Sequence, residues 1–273
     1  MAQKVWFITG ASKGFGKEWA KAALQRGDKV AATARNISSL ADLKSEFGDN
    51  VLTLQLDVTN RVACFATIEK AQQHFGRLDI VINNAGYGLF GTIEEISEAD
   101  ARAQMETNFF GALWVTQAAL PIMRQQQSGH IMQVSSIGGI VANGYLGLYH
   151  ASKWALEAFS ESLSKEVAQF GIHVTLIEPG AYSTDWSGSS AIQATPNPAY
   201  DKVREERAKL RGSFTPGDPA ATAAAILKVA DASEPPLRIF LGELPLQWAR
   251  DQYQKRMENW EKWQPVSLEA HGK

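Results

Sequence analysis

Tyr149 and Lys153 stand four residues apart in Tyr149-His150-Ala151-Ser152-Lys153, and the pair Ser135-Ser136 ends thirteen residues before the tyrosine. On a helix, positions i and i+4 share a face, so the Lys153 ammonium can lie beneath the Tyr149 hydroxyl and favour the phenolate by charge. A tyrosine with a lowered pKa is a usable general acid or base near neutral pH. Ser136 closes an apolar run that begins at His130 and is followed by Gly138 and Gly139, a pattern that predicts a buried strand and then a turn. A hydroxyl there can hold a substrate oxygen against the Tyr149 proton. Tyr-x-x-x-Lys is also a common accident of helical sequence, so the constellation carries meaning only beside a cofactor site.

The N-terminus supplies a candidate. Val5 to Thr9 is apolar and β-forming, Gly10-Ala-Ser12-Lys13-Gly14-Phe15-Gly16 follows, and Lys17 to Gln25 has helical spacing with apolar Trp19, Ala20, Ala23 and Leu24. Strand, glycine loop and helix in that order let the backbone approach a pyrophosphate, whose charge meets free N–H groups and the positive end of the helix dipole. The spacing Gly-x-x-x-Gly-x-Gly departs from the commoner Gly-x-Gly-x-x-Gly. The end of the second strand discriminates between cofactors, because an acid there binds ribose hydroxyls whereas arginine accommodates a 2′-phosphate. Asp28 has tempting spacing but falls in the turn Arg26-Gly27-Asp28-Lys29; the strand itself ends in Ala34 and Arg35.

Together with Asn83-Asn84-Ala85-Gly86 after the run Leu78 to Ile82, these segments make the chain resemble the short-chain dehydrogenase/reductase family over residues 4 to 245. Thr9, Gly10, Gly14, Gly16, Asn108, Ser136, Tyr149, Lys153 and Pro179-Gly180 match in order. The resemblance implies an α/β fold, a Rossmann-like doubly wound parallel sheet of seven strands with helices on both faces. It implies catalytic roles for Asn108, Ser136, Tyr149 and Lys153, with Lys153 also holding the nicotinamide ribose and Asn108 keeping a helix open for a water. Cofactor contacts carry over to Gly10, Ser12, Lys13, Phe15 and Gly16 in the loop, and to Asp57 and Val58 at the adenine. Asn84, Ala85 and Gly86 fall beside the ribose, Pro179 and Gly180 at the nicotinamide, and Thr184 at its carboxamide. Arg35 and Lys13, with no acid nearby, favour NADP(H). A homodimer or homotetramer is expected on the same ground.

Composition agrees. At 273 residues, 45% hydrophobic and net charge −2, the chain can bury one large core, and a single domain spanning 1–273 is expected. No basic excess points to nucleic acid; the one cysteine, Cys64, and the absence of a Cys/His cluster argue against disulfide and metal and suit a reducing cytoplasm. No eighteen-residue apolar stretch or signal pattern is present. Strand-like runs at 5 to 9, 29 to 34, 51 to 56, 78 to 82, 130 to 135, 172 to 178 and 237 to 241 alternate with helical stretches. Residues 183 to 215, rich in Ser, Gly, Pro and Asn, read as a lid with a charged helical piece near 200 to 210. Residues 246 to 263 form a helical run carrying Trp248, Tyr253, Met257, Trp260 and Trp263, whose simplest fate is packing on the parent domain.

The substrate pocket, placed by family topology, comprises Tyr87, Phe90, Ser136, Val141, Asn143, Tyr145, Trp186 and Phe214, without an arginine or lysine to grip a carboxylate or phosphate. The expected activity is NADPH-dependent reduction of a hydrophobic ketone or aldehyde. The alternatives are oxidation of a steroid- or retinoid-type alcohol and a non-catalytic NADPH sensor; an epimerase needs a larger substrate domain than follows Pro179.

Overall fold

A computed structural model describes residues 3–188 and 190–272. Its strands are β1 (Val5–Ile8), β2 (Lys29–Ala34), β3 (Val51–Gln55), β4 (Ile80–Asn83), β5 (Leu89–Phe90), β6 (Gly129–Val134), β7 (Ile172–Pro179), β8 (Ile192–Gln193) and β9 (Arg238–Leu241). The helices are α1 (Gly14–Gln25), α2 (Ala41–Phe47), α3 (Arg61–Phe75), α4 (Glu98–Met105), α5 (Gly111–Gln126), α6 (Gly147–Val167), α7 (Asp201–Gly212), α8 (Ala223–Asp231) and α9 (Pro245–Glu269).

Seven strands pair in parallel in the order β3-β2-β1-β4-β6-β7-β9. Alternate side chains leave a strand on opposite faces, so a continuous apolar strand must be covered on both. That is the observed division. Trp6, Ile8, Val30 and Ile82 pack with Trp19 and Leu24 of α1 and Ile226 of α8, whereas Val5, Phe7, Ala31 and Val81 pack with Ile68 of α3, Val115 of α5 and Leu163 of α6. The result is the expected doubly wound, Rossmann-like sheet.

The strand order reverses between β1 and β4, which opens a crevice beyond their carboxyl ends where ligands bind in such sheets. The fourth strand starts at Ile80 rather than Leu78, because the Gln126 side chain takes both Leu78 backbone groups: its Oε1 accepts from Leu78 N at 3.0 Å and its Nε2 donates to Leu78 O at 2.7 Å.

Residues 183 to 215 contain β8 and α7. β8 pairs with β5, which the sequence pattern does not announce, and so ties the lid to the loop after β4. Glu95 reinforces the tie by accepting from Asn197 N at 2.7 Å and pairing with Arg204. The C-terminal helix runs through Pro265 to Glu269, beyond the expected end at 263. A proline forfeits one helical N–H bond, tolerable on this stretch because it is exposed and the freed carbonyl is open to solvent. Its aromatics do not form core. Tyr253, Met257, Trp260 and Trp263 are about half exposed, because only Pro245 and Ala249 of this helix are buried.

Candidate active site

A cavity of about 1210 Å³ lies at the carboxyl ends of the central strands, larger than the ~300–1,000 Å³ usual for a small molecule alone. Of the residues given catalytic, cofactor or substrate roles from sequence, all but Gly16 and Asn108 line it.

At one end is the glycine loop. Gly10 and Gly14 have φ of +65° and +55°, the left-handed region that favours glycine. A Cβ on Gly16 would fall 2.5 Å from both Gly10 O and Asn84 Nδ2. The Asn84 amide closes this knot by donating to Thr9 O at 2.9 Å and Gly10 O at 3.0 Å, while Thr9 Oγ1 accepts from Asn84 N and Ala85 N, each at 2.9 Å. Helix α1 starts at Gly14 with neither a side-chain cap nor an acid in its first turn. Its leading N–H groups are therefore left for an anion. This bare backbone cradle fits a dinucleotide pyrophosphate.

Further along the wall, Ala34 ends β2 and Arg35 is exposed, with no ion pair among the described residues. Lys13 differs from expectation: its ammonium pairs with Asp185 of the lid, which diverts it from a phosphate. Asp28 is structural, accepting from Lys4 N and the Trp6 indole at 2.9 and 2.7 Å. Asp57 Oδ1 caps its own turn through Thr59 N and Oγ1, and Val58 packs where a Cβ on Gly111 would go. Gly180 N donates to Leu241 O at 2.9 Å, and Thr184 Oγ1 accepts from Trp186 N at 3.4 Å.

The other end holds the hydroxyls. Tyr149 is buried on the first turn of α6, 4.9 Å from the Trp186 ring. Burial pushes its phenol up to about 12, against the opposing effects of the Ser136 hydroxyl and the Arg207 charge. Lys153 Nζ lies 5.8 Å from the Tyr149 ring centre and donates to Val134 O at 2.8 Å; burial brings it down to about 8, with Glu157 opposing. The two side chains thus share a face as the spacing requires, yet here the tyrosine is held protonated rather than activated.

Asn108 sits in a π-helical turn, Glu106–Phe110, between α4 and α5. Such turns widen a helix and recur at functional sites. Its side chain accepts from Tyr87 N and donates to Tyr87 O and Ser152 Oγ, all at 3.1 Å. A Cβ on Gly86 would meet Asn108 Oδ1 at 3.1 Å, a tight approach, and Lys153 Nζ at 3.7 Å, an ordinary contact, so Gly86 lies close against both groups.

Tyr87, Phe90, Val141, Asn143, Tyr145, Trp186 and Phe214 surround the remaining space. Tyr145 has φ of +72°, rare for a non-glycine residue, with its carbonyl held by Gly91 N at 3.0 Å. His150 organises this wall. Its Nδ1 bonds Gly138 O at 2.8 Å and its Nε2 accepts from Asn143 N at 3.2 Å, which defines a neutral ring protonated at Nδ1. Burial lowers its pKa.

Several wall residues had no sequence signal pointing to the pocket. Arg207 and Arg211 enter from α7, and Trp248, Asp251, Gln252 and Lys255 from α9. The expectation of a pocket without arginine or lysine is therefore wrong. A helix in a long irregular segment cannot be oriented by periodicity when it carries few apolar residues, so its inward face was illegible. Beneath the site, Glu178 and Glu157 are buried near Arg238; burial and the Glu157 charge push Glu178 up to about 8, with Arg238 opposing. Among the described residues no group of His, Cys, Asp and Glu could hold a metal, and no helix is long and apolar enough to cross a membrane.

Fold and cavity are those of a Rossmann-like α/β oxidoreductase, and comparison with known proteins agrees. Residues 4–194 match the family model for short chain dehydrogenase. Oxidoreductase BOA17 of Botryotinia fuckeliana is 42% identical over 97% of this chain and 98% of its own. A crystal structure of a short-chain dehydrogenase from Streptomyces avermitilis superposes with a TM-score of 0.93 at 38% identity, covering 98% of both chains. An alcohol dehydrogenase from Thermococcus sibiricus, solved with 5-hydroxy-NADP, gives 0.73 at 27% identity over 88% of this chain and 96% of that one. The chain belongs to the short-chain dehydrogenase family.

Proposed function

We propose that this oxidoreductase uses NADPH to reduce a ketone or aldehyde with an apolar body to the alcohol. The observation that carries the reading is a buried Tyr149, with Lys153 on the same helix face and Ser136 beside it, in the same cavity as the glycine cradle. A phenol that keeps its proton is prepared to act as an acid.

Bound nicotinamide supplies the hydride to the carbonyl carbon. Tyr149 gives its proton to the carbonyl oxygen, which becomes the alcohol hydroxyl. Ser136 hydrogen-bonds that oxygen and fixes its direction. Lys153 places positive charge behind the phenol as negative charge develops there, and holds the ribose. Lys153 then passes a proton to the Tyr149 phenolate, and the widened turn at Asn108 leaves room for a water that resupplies Lys153. Gly10, Ser12, Phe15 and the amides of α1 receive the pyrophosphate, Asp57 and Val58 the adenine, and Asn84, Ala85 and Gly86 the neighbouring ribose. Pro179, Gly180 and Thr184 seat the nicotinamide.

NADPH rather than NADH is supported by Arg35, exposed at the end of β2 and without an ion pair among the described residues, with Ala34 where an acid would repel phosphate. Lys13 adds less, because Asp185 competes for it. Aromatic Tyr87, Phe90, Tyr145 and Trp186 suit an apolar substrate body. Association as a homodimer or homotetramer in the cytoplasm belongs to the same reading, and light scattering after size exclusion tests the assembly.

Substrate-dependent oxidation of NADPH across a carbonyl panel tests the activity. Tyr149→Phe should lower turnover by ~10²-fold or more while NADPH still binds. Retained turnover would refute the proton-donor role.

A further inference from the structure

The lid helix α7 presents three arginines to the cavity, Arg204, Arg207 and Arg211, and the first two, one turn apart, have opposite circumstances. Arg204 is neutralised: it pairs with Glu95 and with Asp201. Arg207 has no ion pair and no hydrogen bond to any described residue. Its guanidinium lies 5.9 Å from the Phe90 ring centre, Phe90 lies 5.1 Å from Trp186, and Trp186 lies 4.9 Å from Tyr149. Its charge reaches the Tyr145 and Tyr149 hydroxyls. It therefore belongs to the reacting end of the cavity, away from the Arg35 end.

A shielded cation without a counter-ion is unfavourable unless something else supplies the charge. The cavity's own carboxylates are otherwise engaged. Asp57 caps Thr59, Asp185 pairs with Lys13 and accepts from Ser190, and Asp251 accepts from Gln247. Arg211 is a like-charged neighbour that deepens the positive potential around Arg207. A planar guanidinium matches a carboxylate through two parallel N–H bonds.

We propose that Arg207 receives a carboxylate of the substrate, so that the enzyme acts on an oxo acid whose apolar body lies on Phe90 and Trp186 and whose carbonyl meets Tyr149. This rests on the reductive reading of the site and narrows its substrate class.

The test compares 4-formylbenzoate with its methyl ester, two aldehydes that differ in the charge. Wild-type kcat/KM should favour the acid. In Arg207→Leu and in the more polar Arg207→Gln the acid-to-ester ratio should fall at least ~10-fold, the scale of a lost charge-assisted hydrogen bond, mainly through KM for the acid; Arg207→Lys should restore part of it. The ratio cancels any effect of the arginine on Tyr149 itself. A ratio that is the same in wild type and both neutral variants overturns the proposal. If wild type turns over neither aldehyde although it binds NADPH, reduction of such carbonyls is what fails. The carboxylate site is then judged by binding of 4-formylbenzoate to the NADPH complex, followed by nicotinamide fluorescence. Binding that both neutral variants lose supports the site; equal binding in all, or none in wild type, overturns it.

Discussion

Replacing Glu178 with glutamine should stabilise the protein in alkaline solution and do much less in acid. Glu178 is fully buried on β7, neither of its carboxylate oxygens has a hydrogen-bond partner among the described residues, and Arg238 Nε is 3.5 Å away. Burial, and then the charge of Glu157, raise its pKa from 4.5 to about 8. A carboxyl raised in the folded state contributes most below its unfolded value, and that contribution is lost as pH rises towards 8, because the unfolded chain releases the proton and the folded one retains it. Between pH 5.5 and 8.5 the loss is bounded at roughly 3 kcal/mol, at ~1.4 kcal/mol per pH unit. Glutamine has the same shape without this dependence. Arg238 would remain paired with Glu157 at 3.0 Å and Glu161 at 2.9 Å, so the substitution does not strand it. At ~2–4 °C per kcal/mol for a chain of this size, the advantage of Glu178→Gln over wild type should grow by up to ~6–12 °C between pH 5.5 and 8.5 in thermal melts. An equal difference in melting temperature at both pH values would show that Glu178 is ionised when folded and sink the argument.

Three further outcomes follow from the site. Arg35→Asp should reverse the preference for NADPH over NADH, with a change of ~10-fold or more in relative affinity; titration by nicotinamide fluorescence reads it, and an unchanged ratio refutes the cofactor assignment. Gly16→Ala should weaken cofactor binding and lower stability by ~1–3 kcal/mol, since the new methyl meets Gly10 O and the Asn84 amide at 2.5 Å; normal affinity and melting would mean that the knot is looser than described. Below pH 6.5 the buried histidines should weaken the wild-type fold, in opposition to the gain from Glu178. Burial holds His130 down to about 3 and lowers His150, so the unfolded chain takes up protons that the folded one refuses. His130→Gln should flatten this part of the melting-temperature profile, and an unchanged slope would clear His130 of the effect.

Much of the fold was legible because its signals are local. Strand-length apolar runs separated by helical stretches mark a parallel sheet, and each of the seven expected runs holds a strand of the main sheet. The glycines at 10, 14 and 16 were legible too, since a loop between strand and helix needs backbone conformations and close approaches that other residues resist. Tyr149 and Lys153 share a helix, so their spacing alone puts them on one face.

What the sequence by itself determined, then, is the family's framework: the sheet, the phosphate-binding turn, and the tyrosine, lysine and serine that end up in one cavity. Tertiary structure decided what those groups experience. Burial raises Tyr149 and Glu178 and lowers Lys153, and that depends on which segments cover them. It also decided that Lys13 meets Asp185, that Arg204 meets Glu95 109 residues away, and that Arg207 lies over Phe90 near the tyrosine with no ion pair among the described residues. Charge and burial are properties of neighbours in space, and a chain position states only its neighbours along the backbone.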